Sequence, residues 1–530
     1  MRKLFLFIMG LAFLGPVAGA NPESTLRFCQ EGSPSVFNSH VATDGTSHLP
    51  TGRTVYNSLL QREPGTNKII PGLSKSWSVS KDGLRYRFKL REDVKFHENF
   101  GFKPSRNFNS DDVAFTYERM FKPEHPFHKV GRGVYPNFAA LGLDKNIQEV
   151  KKNGPFDVEF ILRQPQQNFI AYMSSFFNSV NSAEYAQFLM DKGTPEKFDF
   201  EPVGTGPFIF KNYEKDQVVR FTRNENYFLG SAQIKNLLVV IVPDPSVRVQ
   251  KVRVAECDII MMPPMEELDN LKANANIEVE EGPSSNTAYL VFNTSRKPFD
   301  DPKVRRALSM SLNIDSYVTA VYGEHGEPAI SMLPTQMLKM SKGKAVEYNP
   351  EKAKKLLADA GHKDGLTLTL WSLPVSRHYN PNGKRMAELM QSDLKKIGVD
   401  ARIQTFDWPT YLSKLKSTNE HELAQLGWGG DTLDPDSFFA PTFSCTAASG
   451  GFGATKWCNA KFDTALRNGR LAVNAKQAEV NYRKASEIFQ DELPAMPIAH
   501  AKLVRVNLKR VKNYQLNPSG GVDFYNIRLE

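Results

Sequence analysis

At 530 residues, 41% hydrophobic and 24% charged, the chain is too long for one core and too apolar for disorder, so it should divide into two or three domains. Its formal charge of +9 is spread along the chain with no arginine-rich segment or basic helix, which argues against a nucleic-acid partner. Part of that charge belongs to a leader. Arg2 and Lys3 precede an apolar run over residues 4–14, followed by Gly15-Pro16 and the small-residue sequence Ala18-Gly19-Ala20, the pattern of a secretory signal cleaved after Ala20. A membrane anchor would need about 18 or more apolar residues, and this run is shorter and broken by Pro16. No later stretch is long and apolar enough to span, and no cysteine lies at the cleavage site to carry a lipid. A soluble, exported mature protein is expected.

The first mature segment, Leu26-Arg27-Phe28-Cys29, reads as a strand leading into a region rich in Gly, Ser and Asn. Residues 77–97 alternate around a turn at Lys81-Asp82-Gly83. Tyr86, Phe88 and Leu90 fall on one face and Arg85, Arg87 and Lys89 on the other, a hairpin with one buried side. A helix begins near Asn109-Ser110-Asp111-Asp112, with Asn109 or Ser110 as cap and acids in the first turn. Residues 156–162, 218–221 and 237–242 read as strands, and the Gly204-Thr205-Gly206 sequence within residues 202–208 as a tight backbone crossing.

In the second half the rhythm changes. Asp301-Pro302 and Asn349-Pro350 each open a helix, the second ending at Gly361. Residues 366–371 alternate as a strand, a helix carrying Met386, Leu389, Met390, Leu394 and Ile397 follows, Gly398 ends it, and residues 399–403 are strand again. Helix and strand alternating over short links predict an α/β fold with a sheet of at least partly parallel strands. In such sheets ligands bind beyond the carboxyl ends of strands, where the loop over residues 372–382 lies with Arg377, His378 and Tyr379. An arginine placed there can grip a carboxylate with two hydrogen bonds, or can simply be a solvated loop residue. Residues 423–439 end an apolar run on Gly427-Trp428-Gly429-Gly430, where absent Cβ atoms allow another segment to approach closely, and Asp431 follows at once. The same residues also spell a solvated turn, since Gly-Gly-Asp and Asp-Pro-Asp are turn signals.

Four cysteines in an exported chain suggest two disulfides, for which sequence allows three connectivities. Cys445 and Cys458 flank a Gly-rich loop and are natural partners, which leaves Cys29 and Cys257 to pair over a long separation. No CxxC or histidine cluster accompanies these thiols as a metal site would require. His-Glu-x-x-His, Gly-x-Ser-x-Gly and P-loop motifs are all missing, and residues 324–327 and 419–422, which hold His325 and His421 among acids, read as solvated turns.

Several runs together resemble the extracellular solute-binding proteins of peptide ABC permeases. They are residues 77–83 continued through Tyr86-Arg87-Phe88 and Val94-Lys95-Phe96-His97, then Asn109-Ser110-Asp111-Asp112-Val113, residues 202–208, Tyr289-Leu290-Val291-Phe292-Asn293-Thr294 and Val304-Arg305-Arg306-Ala307-Leu308. Within the family the chain is most similar to the dipeptide-binding branch, through Pro374-Val375-Ser376-Arg377, Tyr379-Asn380-Pro381-Asn382, Met386-Ala387-Glu388, Gly427-Trp428 with Asp431, and Cys445 with Lys456-Trp457-Cys458. The wording Asp434-Pro435-Asp436-Ser437-Phe438-Phe439 is similar to the branch that carries antimicrobial peptides. The likeness runs essentially the whole mature length.

The resemblance implies a two-lobed α/β periplasmic binding protein of class II, with hinged lobes and an extra subdomain. Residues 21–283 with 502–530 would form lobe I, including the subdomain over about 60–200, and residues 284–501 lobe II. It implies the same cysteine pairing. It also implies that Arg377 holds a peptide's terminal carboxylate and Asp431 its ammonium, with Tyr379, Trp428, Gly429, Gly45 and Thr46 as walls and backbone partners. No cofactor or metal is implied, and the expected partners of this monomer are a small peptide and an inner-membrane ABC permease. Haem, glutathione or antimicrobial peptides are the alternative cargoes, and a secreted hydrolase or a permease-independent receptor the alternative classes. Leu433 stands where relatives carry glycine, and the chain is one residue longer around residues 417–420.

Overall fold

The computed structural model describes residues 24–66, 68–130, 133–166, 168–341, 343–430, 434–450, 452–472, 474–517 and 521–530. The leader, and Asp431, Thr432 and Leu433 of the loop after the glycines, lie outside the described residues.

Two sheets carry the molecule. One has seven strands in the order Ile277–Gly282, Leu503–Leu508, Ile259–Ile260, Thr25–Gln30, Asn236–Ile241, Val218–Arg223 and Phe208–Glu214. The other has six, in the order Gly326–Pro328, Ala495–Ala501, Asn286–Phe292, Leu423–Gly429, Leu366–Trp371 and Val399–Gln404. The chain passes from the first sheet to the second between Gly282 and Asn286, and returns between Ala501 and Leu503. Each sheet sits in its own hydrophobic core, and a third, aromatic-rich core spans residues 59–203. The result is a two-lobed mixed α/β molecule. Among the described residues no helix is long and apolar enough to cross a membrane.

The third core is built on a four-stranded sheet in the order Ser74–Val79, Arg85–Leu90, Asp157–Leu162, Ile147–Gly154. Alternation decides its faces: Tyr86, Phe88 and Leu90 are buried, whereas Arg85, Arg87 and Lys89 point to solvent. On that outer face Arg87 grips Asp157 side-on, through Nε at 2.8 Å and Nη2 at 2.5 Å. The helix Ser110–Phe121 is capped by Asn109, whose backbone N–H donates to Asp112 at 3.0 Å in a capping box. Gly204 and Gly206 bring the chain leaving the third core against the chain that enters it, by close backbone approach. A Cβ on Gly206 would lie 2.5 Å from the Thr54 carbonyl oxygen, and one on Gly204 would strike the Val55 carbonyl.

In the six-stranded sheet Leu366–Trp371 runs parallel to both neighbours, Val399–Gln404 and Leu423–Gly429, and the latter pairs antiparallel with Asn286–Phe292. The helix Gly383–Lys396 starts on an Asn382 cap, buries Met386, Ala387, Met390 and Leu394, and stops before Gly398, which takes φ +82°. Strand ends at Trp371 and Gly429 therefore emerge on the same edge, and that edge faces the other lobe. Disulfides join Cys29 to Cys257, with Cα atoms 5.9 Å apart, and Cys445 to Cys458 at 4.4 Å.

Candidate ligand-binding site

Between the lobes lies a cavity of about 230 Å³. Glu31, Asp44, Gly45 and His48 line it from one side, and Arg377, Tyr379, Trp408, Trp428 and Gly429 from the other. The loop after Leu366–Trp371 is shaped for this. Its Arg377 and Asn380 exchange backbone hydrogen bonds at 2.8 and 2.9 Å, a tight turn that throws both Arg377 and Tyr379 toward the cleft. The Tyr379 ring occupies the space that a Cβ on Gly427 would fill, and Tyr322 fixes the turn by donating its hydroxyl to the Tyr379 carbonyl at 2.7 Å. His378 rests against Gly429, where a Cβ would lie 2.9 Å from its Nε2. Gly427 and Gly429 of that strand admit the rings of the neighbouring loop, which is why those two positions carry no Cβ.

Arg377 is 4% exposed, and its guanidinium carbon lies 4.0 Å from the Trp408 ring centroid. Its Nη1 donates to Glu31, which is 1% exposed and sits at the carboxyl end of Thr25–Gln30 in the other lobe. Its remaining fork, Nε and Nη2, makes no hydrogen bond among the described residues, and neither does the second carboxylate oxygen of Glu31. At two other places the same pair of donors takes a carboxylate side-on: Arg87 holds Asp157 with it, and Arg470 holds Asp436 at 2.8 and 3.1 Å. Buried donors left unpaired cost about 1–3 kcal/mol, so a fork held open inside a cavity is a site for an acceptor.

The opposite wall is equally ordered. Asp44 caps the short helix Gly45–His48 and accepts from the Thr46 hydroxyl and from Ser47 Oγ at 3.0 Å. Burial would raise its carboxyl, but the Thr46 hydroxyl and the charges of His48, Arg377 and Lys416 outweigh burial and hold it below the usual carboxylate range. Burial lowers His48 to about 4, against the pull of Asp44, and lowers His378 to about 4 with help from Arg377, so both imidazoles are neutral at pH 7. Burial also pushes the Tyr379 hydroxyl up to about 12. Trp428 donates its indole N–H to the Ser437 carbonyl at 2.7 Å and meets Phe452 edge-on at 4.7 Å.

Of the residues expected at the site, Arg377, Tyr379, Trp428, Gly429 and Gly45 line one cavity. Thr46 does not. It is fully buried behind the wall, its hydroxyl committed to Asp44 and, at 3.2 Å, to the Ser33 carbonyl, and its own carbonyl accepts from Gln30. Asp431 lies outside the described residues. Of the two histidine sequences expected as solvated turns, residues 324–327 stay largely exposed, and the correction falls on His421 and Glu422. His421 is fully buried with Nε2 2.6 Å from the Ala454 carbonyl, Glu422 accepts from the Thr369 amide at 2.6 Å, and His325 pairs with Glu281 at 2.7 Å. Glu31 and Trp408 were missed. Glu31 carries the signal already used for Arg377, a polar residue just past a strand end, and Trp408 opens the helix Trp408–Ser417 behind an Asp407 cap.

Beside the cavity a polar latch joins the lobes. Asp434 accepts from Asn168 at 2.5 Å and Tyr172 at 3.0 Å, Arg470 holds Asp436, and Arg470 Nη2 donates to the Ala140 carbonyl at 3.1 Å. Burial, and then the charge of Asp436, push the Asp434 carboxyl up to about 7. With Glu31–Arg377 and a hydrogen bond from Lys416 to Thr43, these contacts describe a closed cleft.

The profile of the bacterial extracellular solute-binding proteins, family 5 middle region, matches residues 68–450. The chain belongs to that family. The dipeptide-binding protein of Escherichia coli (strain K12) is 39% identical, over 100% of this chain and 99% of its own length. Di/tripeptide-binding protein 1 of Pseudomonas aeruginosa (strain UCBPP-PA14) is 39% identical over 98% of this chain and 97% of its own. Among solved structures, the dipeptide-binding protein from Pseudoalteromonas sp. SM9913 in complex with Met-Leu superposes with a TM-score of 0.93 at 37% identity, covering 96% of this chain and 100% of that one. The two sequence relatives match over nearly their whole lengths, and the solved structure shares the fold.

Proposed function

We propose that this chain is the periplasmic substrate-binding component of an ABC importer for short peptides, exported with residues 1–20 removed. It works as a monomer and hands its cargo intact to an inner-membrane permease. The observation that carries this reading is the open Nε/Nη2 fork of Arg377, buried against Trp408 inside the interlobe cavity. A peptide's terminal carboxylate fits that fork in the side-on geometry seen at Asp157 and Asp436. Its ammonium would pair with Asp431, and Tyr379, Trp428, Gly429 and Gly45 would form the walls. Residues 21–283 with 502–530, subdomain included, and residues 284–501 act as the closing lobes, turning about their two connections. Two fixed opposite charges select for length, because a longer peptide cannot meet both without leaving a charge unpaired in a closed site.

Calorimetric titration of the mature chain with Ala-Ala, N-acetyl-Ala-Ala and Ala-Ala-amide tests this. The free dipeptide should bind, each blocked form should bind at least tenfold more weakly, and the peptide should be recovered unhydrolysed. Equal binding of the amide would remove Arg377 from the role of carboxylate anchor, and steady hydrolysis would replace the carrier by an enzyme.

A further inference from the structure

The cavity has a second cationic region that the terminal clamp does not use. Arg53 and Arg62 line it near Phe176 and Ser174, and Arg53 also lines a small side chamber with Tyr227, Asp523 and Tyr525. Arg62 is a buried strand residue. Arg53 is half-buried, and its guanidinium makes a single hydrogen bond among the described residues, a 3.4 Å contact from Nη1 to the Arg62 carbonyl. The acid that bears on it, Asp523, forms no ion pair with it and accepts instead from the Tyr525 amide at 3.1 Å and from Asn526 at 3.3 Å. The other acids that line the cavity among the described residues are engaged too, Glu31 by Arg377 and Asp44 by Thr46 and Ser47. Burial lowers the Arg53 pKa, with Asp523 and Tyr227 opposing the change, as expected of a cation short of acceptors. The region thus offers several donors of one guanidinium, with no carboxylate bound to them among the described residues.

We propose that Arg53 forms a second carboxylate subsite, which gives this carrier a preference for short peptides bearing an aspartate or glutamate side chain. The subsite rests on the carrier reading above: the ligand's terminal carboxylate is held at Arg377, so the second anion is a side-chain carboxylate. Arg62 adds positive charge at the same place, and the side chamber, about 30 Å³, is room for a terminal carboxylate group and not for a large side chain. Glutamine and asparagine have nearly the same shape as the acids but lack the charge, so the subsite discriminates within isosteric pairs.

The test is calorimetric titration of the mature chain at pH 7.5 with Ala-Ala, Ala-Glu, Ala-Gln, Glu-Ala, Gln-Ala and Ala-Ala-Ala, repeated with Arg53→Gln and Arg53→Lys. At least one acidic peptide should bind fivefold or more tighter than its glutamine counterpart. That ratio should fall to within twofold in Arg53→Gln and persist in part in Arg53→Lys, while Ala-Ala affinity changes less than threefold. Equal binding of acid and amide peptides in the unmodified chain would overturn the subsite, as would a preference that survives Arg53→Gln. A gain for Ala-Ala-Ala that depends on Arg53, without discrimination between acid and amide, would overturn the side-chain assignment by showing that the group held is the end of a longer peptide. If Ala-Ala itself fails to bind, the carrier reading falls and takes this inference with it. That outcome is distinct from loss of discrimination alone.

Discussion

Replacing Arg377 by alanine separates two roles that the structure combines in one guanidinium. Its Nη1 neutralises Glu31 across the cleft, and its Nε/Nη2 fork is proposed to take the ligand carboxylate. Removing one partner of a buried hydrogen-bonded charge pair costs about 2–5 kcal/mol, which corresponds to a loss of affinity from roughly 30-fold to several thousand-fold. Because Glu31 and Arg377 belong to different lobes, an open cleft exposes both to water, so the penalty should fall on closure and binding while the melting temperature of the unliganded chain moves little. The double variant Arg377→Ala/Glu31→Gln removes the stranded charge at the same time. Calorimetry with Ala-Ala should then show closure partly repaired but affinity still at least tenfold below the unmodified chain, since no cation meets the carboxylate. Recovery of full affinity in the double variant would refute the reasoning, because Arg377 would then have served Glu31 alone.

Three other outcomes are expected. The Asp434 carboxyl, raised to about 7 when closed against about 3.8 when exposed, binds its proton more tightly in the closed form. Closure is thus fully supported below the lower value and weakens as pH rises through 7, by about tenfold in the closed-to-open ratio between pH 6 and 8. Small-angle scattering across that range should show the chain opening, and Asp434→Asn should flatten the response; tighter closure at pH 8 would contradict it. Gly427→Ala drives a methyl group into the Tyr379 ring and should cost about 1–3 kcal/mol in urea unfolding, with unchanged stability counting against the close packing described. Cys445→Ser/Cys458→Ser opens a short loop and should lower unfolding stability by about 3 kcal/mol, a loss that reduction of the unmodified chain at this disulfide should reproduce.

What the sequence revealed follows from the range of the forces involved. Caps and breakers act within a few residues, so the helix starts at Asn109, Asp301, Asn349 and Asn382 and the stop at Gly398 are legible, as is the hairpin face of Tyr86, Phe88 and Leu90. The strand Ile147–Gly154 went unread because only Ile147 and Val150 of it are buried, so it has no alternating apolar pattern. Arg377 could be singled out as a loop residue past a strand end, but not as a buried one. Its burial depends on Glu31 and Trp408, one of them in the other lobe. His421 and Glu422 show the same limit from the other side, since a polar sequence looks solvated until the Ala454 carbonyl and the Thr369 amide come to meet it. Thr46 shows that a residue beside the wall in sequence can be its support and not its surface.

The two chain passages between lobes are not independent of one another. The Asn286 side chain donates to the Ala501 carbonyl at 2.9 Å and accepts from the Ala501 amide at 3.0 Å, so one amide group staples the outgoing segment to the returning one. Connections stapled in this way would twist as a single ribbon during the proposed closure, leaving the lobes one swinging coordinate and little freedom to slide. If the lobes close as proposed, Arg377 and Glu31 would meet along one arc, and Asn286→Ala, at a residue that pairs with the wall residue Gly429 but does not itself line the cavity, should blur that arc and slow capture.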